Sequence, residues 1–375
     1  MKIIYHNILS FFLFASLLCC IFLVRLFLFE PFQIPTSSME PTLIGDSQTG
    51  DRIVVDKISS TLKRWNVVVF EKQNQYYVKR LIGLPNEILD IKNGNIYVNH
   101  KIVRKPFQIQ QDLLYELYNM QYDEIDKFWV ALDKEKVQFQ DKQIQFQSTN
   151  NINWLVYYQE LSNKYDPKQK DFLWKRSKKT YQAGGFHGVG EIQLSFYIIL
   201  ETKEGKFHIQ LCHGKDTFIC TLSQKTSTFT HQKNNHLLHK INLDFSLTQF
   251  KKYHIIIKNI DLLLQVLVND HKIFELDYAT DLQNASSQTL NNSIQIGSQN
   301  GQFCIKNIKL QRDIYYLNYD DNTWNISENN YFVLGDNPPQ SNDSRHWEKD
   351  TFIPKENIIG KAIFIFWPLV HIRRL

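Results

Sequence analysis

An uncharged apolar run near the N-terminus constrains the fold of this chain more than any other feature. The segment from Ile8 to Val24 has no charged residue, and Leu26 to Phe29 continue it after Arg25. At 1.5 Å per residue, a helix of about 20 residues crosses a hydrocarbon core of ~30 Å. We therefore predict a membrane-spanning anchor within residues 1–29, with the Arg25 side chain reaching the interface.

The apolar run has two other interpretations, a cleavable leader peptide and a lipoprotein site. A cleavable leader has small residues after its apolar core. Here the residues that follow the core, 26–31, are Leu-Phe-Leu-Phe-Glu-Pro, so no cleavage site of small residues is present. A lipoprotein site at Cys19 or Cys20 needs a small residue just before the cysteine, and Leu18 precedes Cys19. An uncleaved anchor is therefore the favoured hypothesis, and it makes the lipid bilayer a partner of this chain.

Composition excludes several functional classes. The 375 residues carry a net charge of +5 without a dense basic stripe, so we expect no nucleic-acid partner. The chain has neither a CxxC nor an HExxH motif, and His231, His236 and His239 have no spacing typical of a metal site. We expect no metal and no cofactor.

Five cysteines are too few for a disulfide scaffold. Cys212 and Cys220 flank a predicted hairpin turn at residues 213–217, so a disulfide across the hairpin and two free buried thiols are both open. Free thiols are the favoured interpretation.

Short runs of β-branched and aromatic residues predict strands in the first part of the chain, after the apolar run, and again near its end. The clearest hairpin joins Ile88–Ile91 to Ile96–Val98 through an Asn-Gly turn. Further runs predict strands at the end of the chain, at 331–334 and 358–367. These pieces predict one all-β domain whose sequence is split in two.

The residues between these pieces predict a second domain. Residues 110–184 are polar and irregular, with short helices expected around Asp112 to Tyr118, whereas residues 185–312 show repeated alternating strands typical of a β-sandwich. Within them, Asn269-Asp270 predicts another turn, before a strand from His271 to Leu276.

The segment from Gly297 to Leu310 resembles the closing strands of concanavalin-like or laminin-G-like jelly rolls. Such folds bind sugars in some families and only pack in others, so a glycan ligand and a purely structural insert are both open.

Three separate stretches carry residues with catalytic potential: Pro35 to Leu43 with Ser38, Tyr77 to Pro85 with Lys79, and Gly335 to Arg345. A serine hydroxyl needs a base to act as a nucleophile, and these stretches contain no histidine. A lysine serves as that base only when neutral, which burial among apolar neighbours favours. Alternation along a strand places Arg80 on the opposite face from Lys79, where we expect it to be solvated.

In this order and behind the apolar run, the three stretches resemble the catalytic boxes of type I signal peptidases, membrane-bound serine proteases with a Ser–Lys dyad. The resemblance implies that Ser38 is the nucleophile, rather than Ser37, and that Lys79 is the general base. It also implies that the Thr36 hydroxyl and the Ser38 backbone N–H bind the oxyanion.

The third stretch supplies the supporting residues that this resemblance implies. Ser341 matches a serine that hydrogen-bonds the lysine amine, and Asp343 and Arg345 match a structural ion pair. Gly335, Asp336 and Asn337 match the turn that brings this strand to the dyad. Pro338-Pro339-Gln340 departs from the usual polar residues. Asn86-Glu87 replaces a frequent Gly-Asp, and because Asn tolerates the left-handed backbone, we expect the turn to persist.

These expectations define five segments: an anchor (1–29), a catalytic domain in two parts (30–109 and 313–375), an irregular linking region (110–184) and an inserted β-sandwich (185–312). The implied function is removal of signal peptides, with small residues before the cleavage point, from exported preproteins. The implied location is the cell (inner) membrane, with the catalytic part on the non-cytoplasmic side. The alternatives are a soluble self-cleaving Ser–Lys protease of the repressor type, and an anchored binding protein without enzymatic activity.

Overall fold

The computed structural model describes residues 13–16, 28–58, 61–140, 142–159, 161, 188–279, 292–318, 322–347 and 350–375. Strands dominate these residues, as the sequence predicts, and the chain is mainly β. It divides into two compact units, residues 1–113 with 316–375 and residues 114–315.

The predicted anchor lies largely outside the described residues. Within residues 1–29, the structure describes residues 13–16, which are helical, and residues 28–29, of which Phe29 begins a strand. In the ranges given above, no helix has both the length and the apolar character needed to cross a membrane.

The strands are numbered in chain order. Before residue 114 they are β1 (Phe29–Gln33), β2 (Arg52–Asp56), β3 (Val67–Lys72), β4 (Gln75–Gly83), β5 (Ile88–Lys92), β6 (Asn95–Val98) and β7 (Lys101–Ile102), followed by helix α1 (Phe107–Leu113). Residues 114–315 contain β8 (Tyr115–Asn119), β9 (Trp129–Ala131), β10 (Val137–Gln140), β11 (Gln143–Phe146), β12 (Asn153–Tyr157), β13 (Ile192–Leu200), β14 (Lys206–His213), β15 (Asp216–Ser223), β16 (Ser227–Lys233), β17 (His236–Leu243), β18 (Lys252–Ile260), β19 (Leu263–Val268), β20 (His271–Asp277), β21 (Ser293–Gln299) and β22 (Phe303–Arg312). The last part contains β23 (Thr323–Asn325), β24 (Asn330–Leu334), β25 (Ile353–Pro354), β26 (Ile358–Trp367) and β27 (Arg373–Arg374).

The first unit has two antiparallel sheets. The larger runs β1-β2-β26-β3-β4-β24-β25, with β27 on β26, and the smaller runs β23-β5-β6-β7. Val67 to Phe70 of β3 are all buried because alternate residues enter two different apolar clusters. Val67 and Val69 pack with Met39 and Ile53, whereas Val68 and Phe70 pack with Leu81 and Val333. β3 is therefore covered on both faces.

The predicted hairpins are confirmed in position and turn chemistry. β5 and β6 pair through Asn93 and Gly94, whose φ values are 49° and 85°. β19 and β20 pair through Asn269 and Asp270, at 49° and 65°. Positive φ at both central residues is the requirement of a type I′ turn, which is why Asn, Asp and Gly occupy these positions.

The second unit also has two antiparallel sheets. One runs β10-β11-β22-β13-β18-β19-β20, with β8 on β22, and the other runs β17-β16-β15-β14-β21-β12-β9. The two sheets share a phenyl cluster: Phe207 of the second lies with its ring centroid 5.7, 5.7 and 5.3 Å from those of Phe146, Phe196 and Phe303 of the first.

One expectation for this unit needs correction, and another is confirmed. Residues 110–184 are not irregular where they are described, since β8 to β12 join the two sheets and α1 ends at Leu113. The Gln-rich segments of β10 and β11 alternate polar with apolar residues, so they have the period of a strand. The favoured interpretation of Cys212 and Cys220 as free thiols is confirmed. The two residues do not face each other, because the β14–β15 register pairs Cys212 with Thr217 and Cys220 with Ile209.

Candidate active site

Ser38 lies in a single 3-10 turn, Ser37–Met39, between β1 and β2. Met39 is 1% exposed and packs in the apolar cluster that contains Val67 and Val69. This contact fixes the turn to the sheet. Ser38 itself is 8% exposed, so its hydroxyl lies in a largely desolvated position.

Lys79 approaches Ser38 from β4, which lies between β3 and β24. Its side chain is buried, and Lys79 Nζ is 2.6 Å from Ser38 Oγ. Among the described residues, Ser38 Oγ has hydrogen-bond contacts with Lys79 Nζ and Thr36 Oγ1 and no histidine. The structure therefore brings together the two residues that the sequence proposed as a dyad, although 40 residues separate them in the chain.

The segment after β24 holds the serine turn in place. The Asn337 backbone N–H donates to the Ser38 carbonyl (3.1 Å), and the Asn337 side-chain amide donates to the Ser37 carbonyl (3.0 Å). Gly335 leaves the space that this approach needs, since a Cβ there would lie 2.5 Å from the Ser38 carbonyl oxygen and 2.1 Å from Ser341 Oγ. The sequence placed Asn337 in a turn at the dyad but did not indicate these two hydrogen bonds.

Asp343 is the centre of a buried hydrogen-bond network. It accepts from Arg345 Nε (2.9 Å) and Nη2 (2.8 Å), and from the Gly335 backbone N–H (2.9 Å). Burial by itself would raise the pKa of Asp343, but the Arg345 guanidinium and these hydrogen bonds lower it below its usual value. Asp343 is therefore a fixed negative charge beside the dyad.

Ser341 differs from its expected role. Its hydroxyl donates to Asp343 Oδ2 at 2.7 Å, and in the described part of the chain it makes no hydrogen bond with Lys79. Asp343 is a charged acceptor at short range, and a hydroxyl has a single proton to donate. Ser341 thus joins the Asp343 network instead of orienting the lysine amine directly.

Arg80 is not solvated, contrary to the expectation from strand alternation. It is 2% exposed, and its Nε and Nη2 donate to the two Asp336 carboxylate oxygens at 2.7 and 2.6 Å. Further donations reach the Trp65 carbonyl and the Thr42 hydroxyl. Burial alone would lower the pKa of Arg80, but Asp336 outweighs it and raises it. The face opposite Lys79 is thus a buried ion pair that links β4 to the segment after β24.

The electrostatic setting of Lys79 suits a general base. Burial lowers its pKa from the ordinary 10.5 to about 8; Asp343 and Asp336 oppose this shift, and Arg345 assists it. About a tenth of the amine is therefore neutral at pH 7, against far less for an ordinary lysine, and a neutral amine can accept the Ser38 proton. Thr36 Oγ1 lies 3.4 Å from Ser38 Oγ, which places a second hydroxyl beside the nucleophile.

The second unit contains a cluster of three carboxylates that the sequence did not predict. Glu191, Asp261 and Asp313 are buried, and oxygen atoms from the three lie within 4.8 Å of one another. All three residues also interact with other groups of the chain. Asp313 lies 122 positions after Glu191, with Asp261 between them, so no spacing motif indicates the cluster. We assign no metal to them.

Comparison with known proteins gives a family match. The family described as "Signal peptidase, peptidase S26" matches residues 6–155 and 264–367, more than half of the chain. Signal peptidase I of Bacillus amyloliquefaciens is 42% identical over 88 residues, which are 23% of this chain and 45% of that protein. This chain thus matches less than half the length of that relative. Signal peptidase I of Buchnera aphidicola subsp. Baizongia pistaciae is 24% identical over 377 residues, 95% of this chain and 76% of that protein.

Solved structures give a weaker likeness. Carbohydrate binding module CBM66 from Bacillus subtilis aligns with 49% of this chain and 94% of its own, at 9% identity and a TM-score of 0.33. A TM-score of this size carries no argument about fold or ligand.

Proposed function

Because this chain belongs to the signal peptidase family, peptidase S26, we propose that it is a membrane-bound signal peptidase I, a serine endopeptidase that removes signal peptides from exported preproteins. The observation that carries the proposal is the contact of 2.6 Å between Ser38 Oγ and a buried Lys79 amine. A buried, partly neutral lysine against a serine hydroxyl is the arrangement of a nucleophile with its base.

The proposed reaction follows from these contacts. Ser38 O–H donates its proton to neutral Lys79 Nζ while Ser38 Oγ bonds to the scissile carbonyl carbon. The Thr36 hydroxyl and the Ser38 backbone N–H donate to the oxygen that becomes negative. The Lys79 ammonium then gives the proton to the leaving amine, which departs and leaves an acyl ester on Ser38. Water, deprotonated by Lys79, hydrolyses the ester and restores both side chains.

The supporting residues keep this geometry rigid. Asn337 fixes the carbonyls of Ser37 and Ser38, and Gly335 lets the two segments approach. Asp343, held by Arg345 and Ser341, places a negative charge that stabilises the ammonium formed during the reaction. We propose that Ser341 therefore acts on Lys79 through Asp343.

We propose that the preproteins have small residues before the cleavage point and that residues 1–29 anchor the chain in the cell (inner) membrane, with the catalytic part on the non-cytoplasmic side. The uncharged run from Ile8 to Val24 supports the anchor. The family membership supports the substrate.

Cleavage by this chain should depend on the titration of Lys79. The test is hydrolysis of a model preprotein with an Ala-x-Ala cleavage site by the detergent-solubilised full chain. With a pKa of about 8, Lys79 loses its proton as the pH rises. At low substrate concentration we therefore expect the rate to rise about tenfold per pH unit below pH 8 and to level off above it. A chain that cleaves no preprotein at any pH would contradict the function, and a rate independent of pH between 6 and 9 would contradict lysine as the base.

We propose that residues 110–312 are a domain inserted into the catalytic domain, and that its own ligand is a glycan. The compact unit 114–315 supports the insertion, because it contains two complete sheets. The chain before it (β5, β6, β7) and after it (β23) lies in one four-stranded sheet, with Trp324 of β23 paired to Leu89 of β5. Both ends of the insertion therefore belong to the same sheet of the catalytic domain.

Replacing residues 114–315 by a flexible linker of about eight Gly and Ser residues, which spans up to about 26 Å, should leave the dyad active. We expect cleavage of a short soluble peptide to stay within about twofold of the full chain, since none of the dyad contacts involves a residue of 114–315. Cleavage of the full preprotein by the same deletion variant is the comparison. It should fall if residues 114–315 also bind preproteins. A deletion protein with native β-sheet circular dichroism and no activity on either substrate would refute this domain division.

A further inference from the structure

The outer face of the seven-stranded sheet in the second unit carries few charged residues. On the five neighbouring strands β16, β15, β14, β21 and β12, buried residues alternate with outward ones. Of the described outward residues on these five strands, only Lys206 at the start of β14 is charged, and the others are mainly Gln, Thr and Ser. On the neighbouring β17, Lys240 lies in register with Thr230. Charged residues ordinarily form about a quarter to a third of a soluble surface. This face is therefore unusual for a surface that only contacts water.

The other sheet of the same unit provides an internal comparison. Its outward positions carry Lys252, Lys272, Glu275, Lys306 and Lys309. The low charge is thus a property of one face and does not reflect the composition of the whole unit.

An aromatic platform lies on the sparsely charged face. Trp154, Gly297, His208 and Thr221 are neighbours in register across β12, β21, β14 and β15. The Trp154 indole is half-buried, and a Cβ at position 297 would lie 2.8 Å from Trp154 Cε3, so glycine makes room for the ring. The His208 ring centroid lies 6.1 Å from that of Trp154, and His208 Nδ1 is 3.0 Å from Thr221 Oγ1. Burial lowers the pKa of His208 to about 4, so this imidazole is uncharged at neutral pH.

The adjoining row supplies groups that both donate and accept hydrogen bonds. Gln295, Gln210 and Thr230 lie in register on β21, β14 and β16, with Ile219 of β15 between the last two. All three are half-buried, and within the described ranges the side chains of Gln295 and Thr230 make no hydrogen bond to protein. Half-buried amides and hydroxyls without protein partners are available to a ligand.

We propose that this face binds a neutral glycan, with a sugar ring packed on Trp154 and its hydroxyls bonded by Gln210, Gln295 and Thr230. Sugar rings have apolar C–H faces that pack on an indole and hydroxyls that donate and accept, as amides do. The five strands have no described outward carboxylate, which disfavours a basic peptide, and an acidic polymer would find only Lys206 and Lys240 as counter-charges. The site rests on the glycan role proposed above for the insert and is independent of the peptidase activity.

The test is calorimetric titration of the full chain, in a detergent without a sugar headgroup, with neutral hexasaccharides of glucose, mannose, galactose and N-acetylglucosamine. We expect one of them to bind the unmodified chain, and Trp154→Ala to weaken that binding at least tenfold. The double variant Gln210→Ala/Gln295→Ala should also weaken glycan binding. It tests the same site if Trp154→Ala misfolds. The matched control is Tyr197→Ala, which removes a half-buried aromatic stacked on His254 from the outer face of the other sheet.

Each result decides a different part of the proposal. Loss with Trp154→Ala and retention with Tyr197→Ala, at unchanged melting temperature and at both 50 mM and 500 mM salt, supports the assigned face. The reverse pattern places the glycan on the other sheet and overturns this site while the glycan role stands. Failure of all the hexasaccharides to bind the unmodified chain removes the glycan role itself, and binding of an acidic polymer that salt abolishes would show a charged ligand instead. None of these outcomes affects the cleavage assay.

Discussion

Replacing Ser38 by alanine, or Lys79 by methionine, should reduce preprotein cleavage to background, a loss of at least about 10⁴-fold. Ser38 is the only member of the pair with a nucleophilic oxygen, and Lys79 Nζ, at 2.6 Å, is its only described partner with a titratable nitrogen. The measurement is single-turnover cleavage of a model preprotein by purified full-length variants. Because the two residues act as a unit, the double variant should lose no more than either single variant.

The free energy of unfolding distinguishes a variant that has lost only its catalytic group from one that no longer folds. Burial lowers the pKa of Lys79 from 10.5 to about 8, so the unfolded chain binds more protons between these values and stability rises with pH through that window. Below pH 8 the charged, buried amine destabilises the fold by about 3 kcal/mol. Lys79→Met should therefore be inactive yet more resistant to urea than the unmodified chain at pH 7. Ser37→Ala is the matched serine control and should keep activity; an active Ser38→Ala beside an inactive Ser37→Ala would show that the wrong serine was assigned.

Replacing Asp336 by alanine should destabilise the catalytic unit by about 3–5 kcal/mol, because it leaves the Arg80 guanidinium buried without its counter-charge. Arg80 is 2% exposed and donates to both Asp336 oxygens, and the remaining acceptors, the Trp65 carbonyl and the Thr42 hydroxyl, are neutral. The measurement is urea unfolding of the full chain at pH 7. Activity should fall as well, since Asp336 also helps to stabilise the Lys79 ammonium.

Two variants control for this effect. Glu30→Ala breaks the partly exposed Lys57–Glu30 pair, 3.2 Å long, and should change stability by less than about 1 kcal/mol. The double variant Arg80→Met/Asp336→Leu removes both charges and should recover most of the stability that Asp336→Ala loses. If Asp336→Ala were as stable as Glu30→Ala, the ion pair would not hold β4 to the segment after β24.

Much of the local structure could be predicted from the sequence because its causes are local. Alternating apolar residues gave the strands, and Asn-Gly at 93–94 and Asn-Asp at 269–270 gave turns that need positive φ. Asn86, with φ of 65°, also accepts the left-handed backbone expected of it. The Gln-rich strands β10 and β11 were missed because we gave composition more weight than their period of two.

The sequence by itself determined which residues have the chemistry for the candidate site, since a serine, a lysine and the Gly335 to Arg345 stretch have distinctive neighbours in the chain. Only the tertiary structure decided what each side chain meets. Alternation along β4 says that Arg80 and Lys79 lie on opposite faces, but not that the Arg80 face is covered by Asp336, which is 256 residues away. In the same way, Ser341 bonds Asp343 instead of Lys79 because the fold presents the charged acceptor at 2.7 Å. Burial and long-range pairing, which set the pKa of Lys79, depend on the packing of distant segments, and no local pattern of residues encodes them.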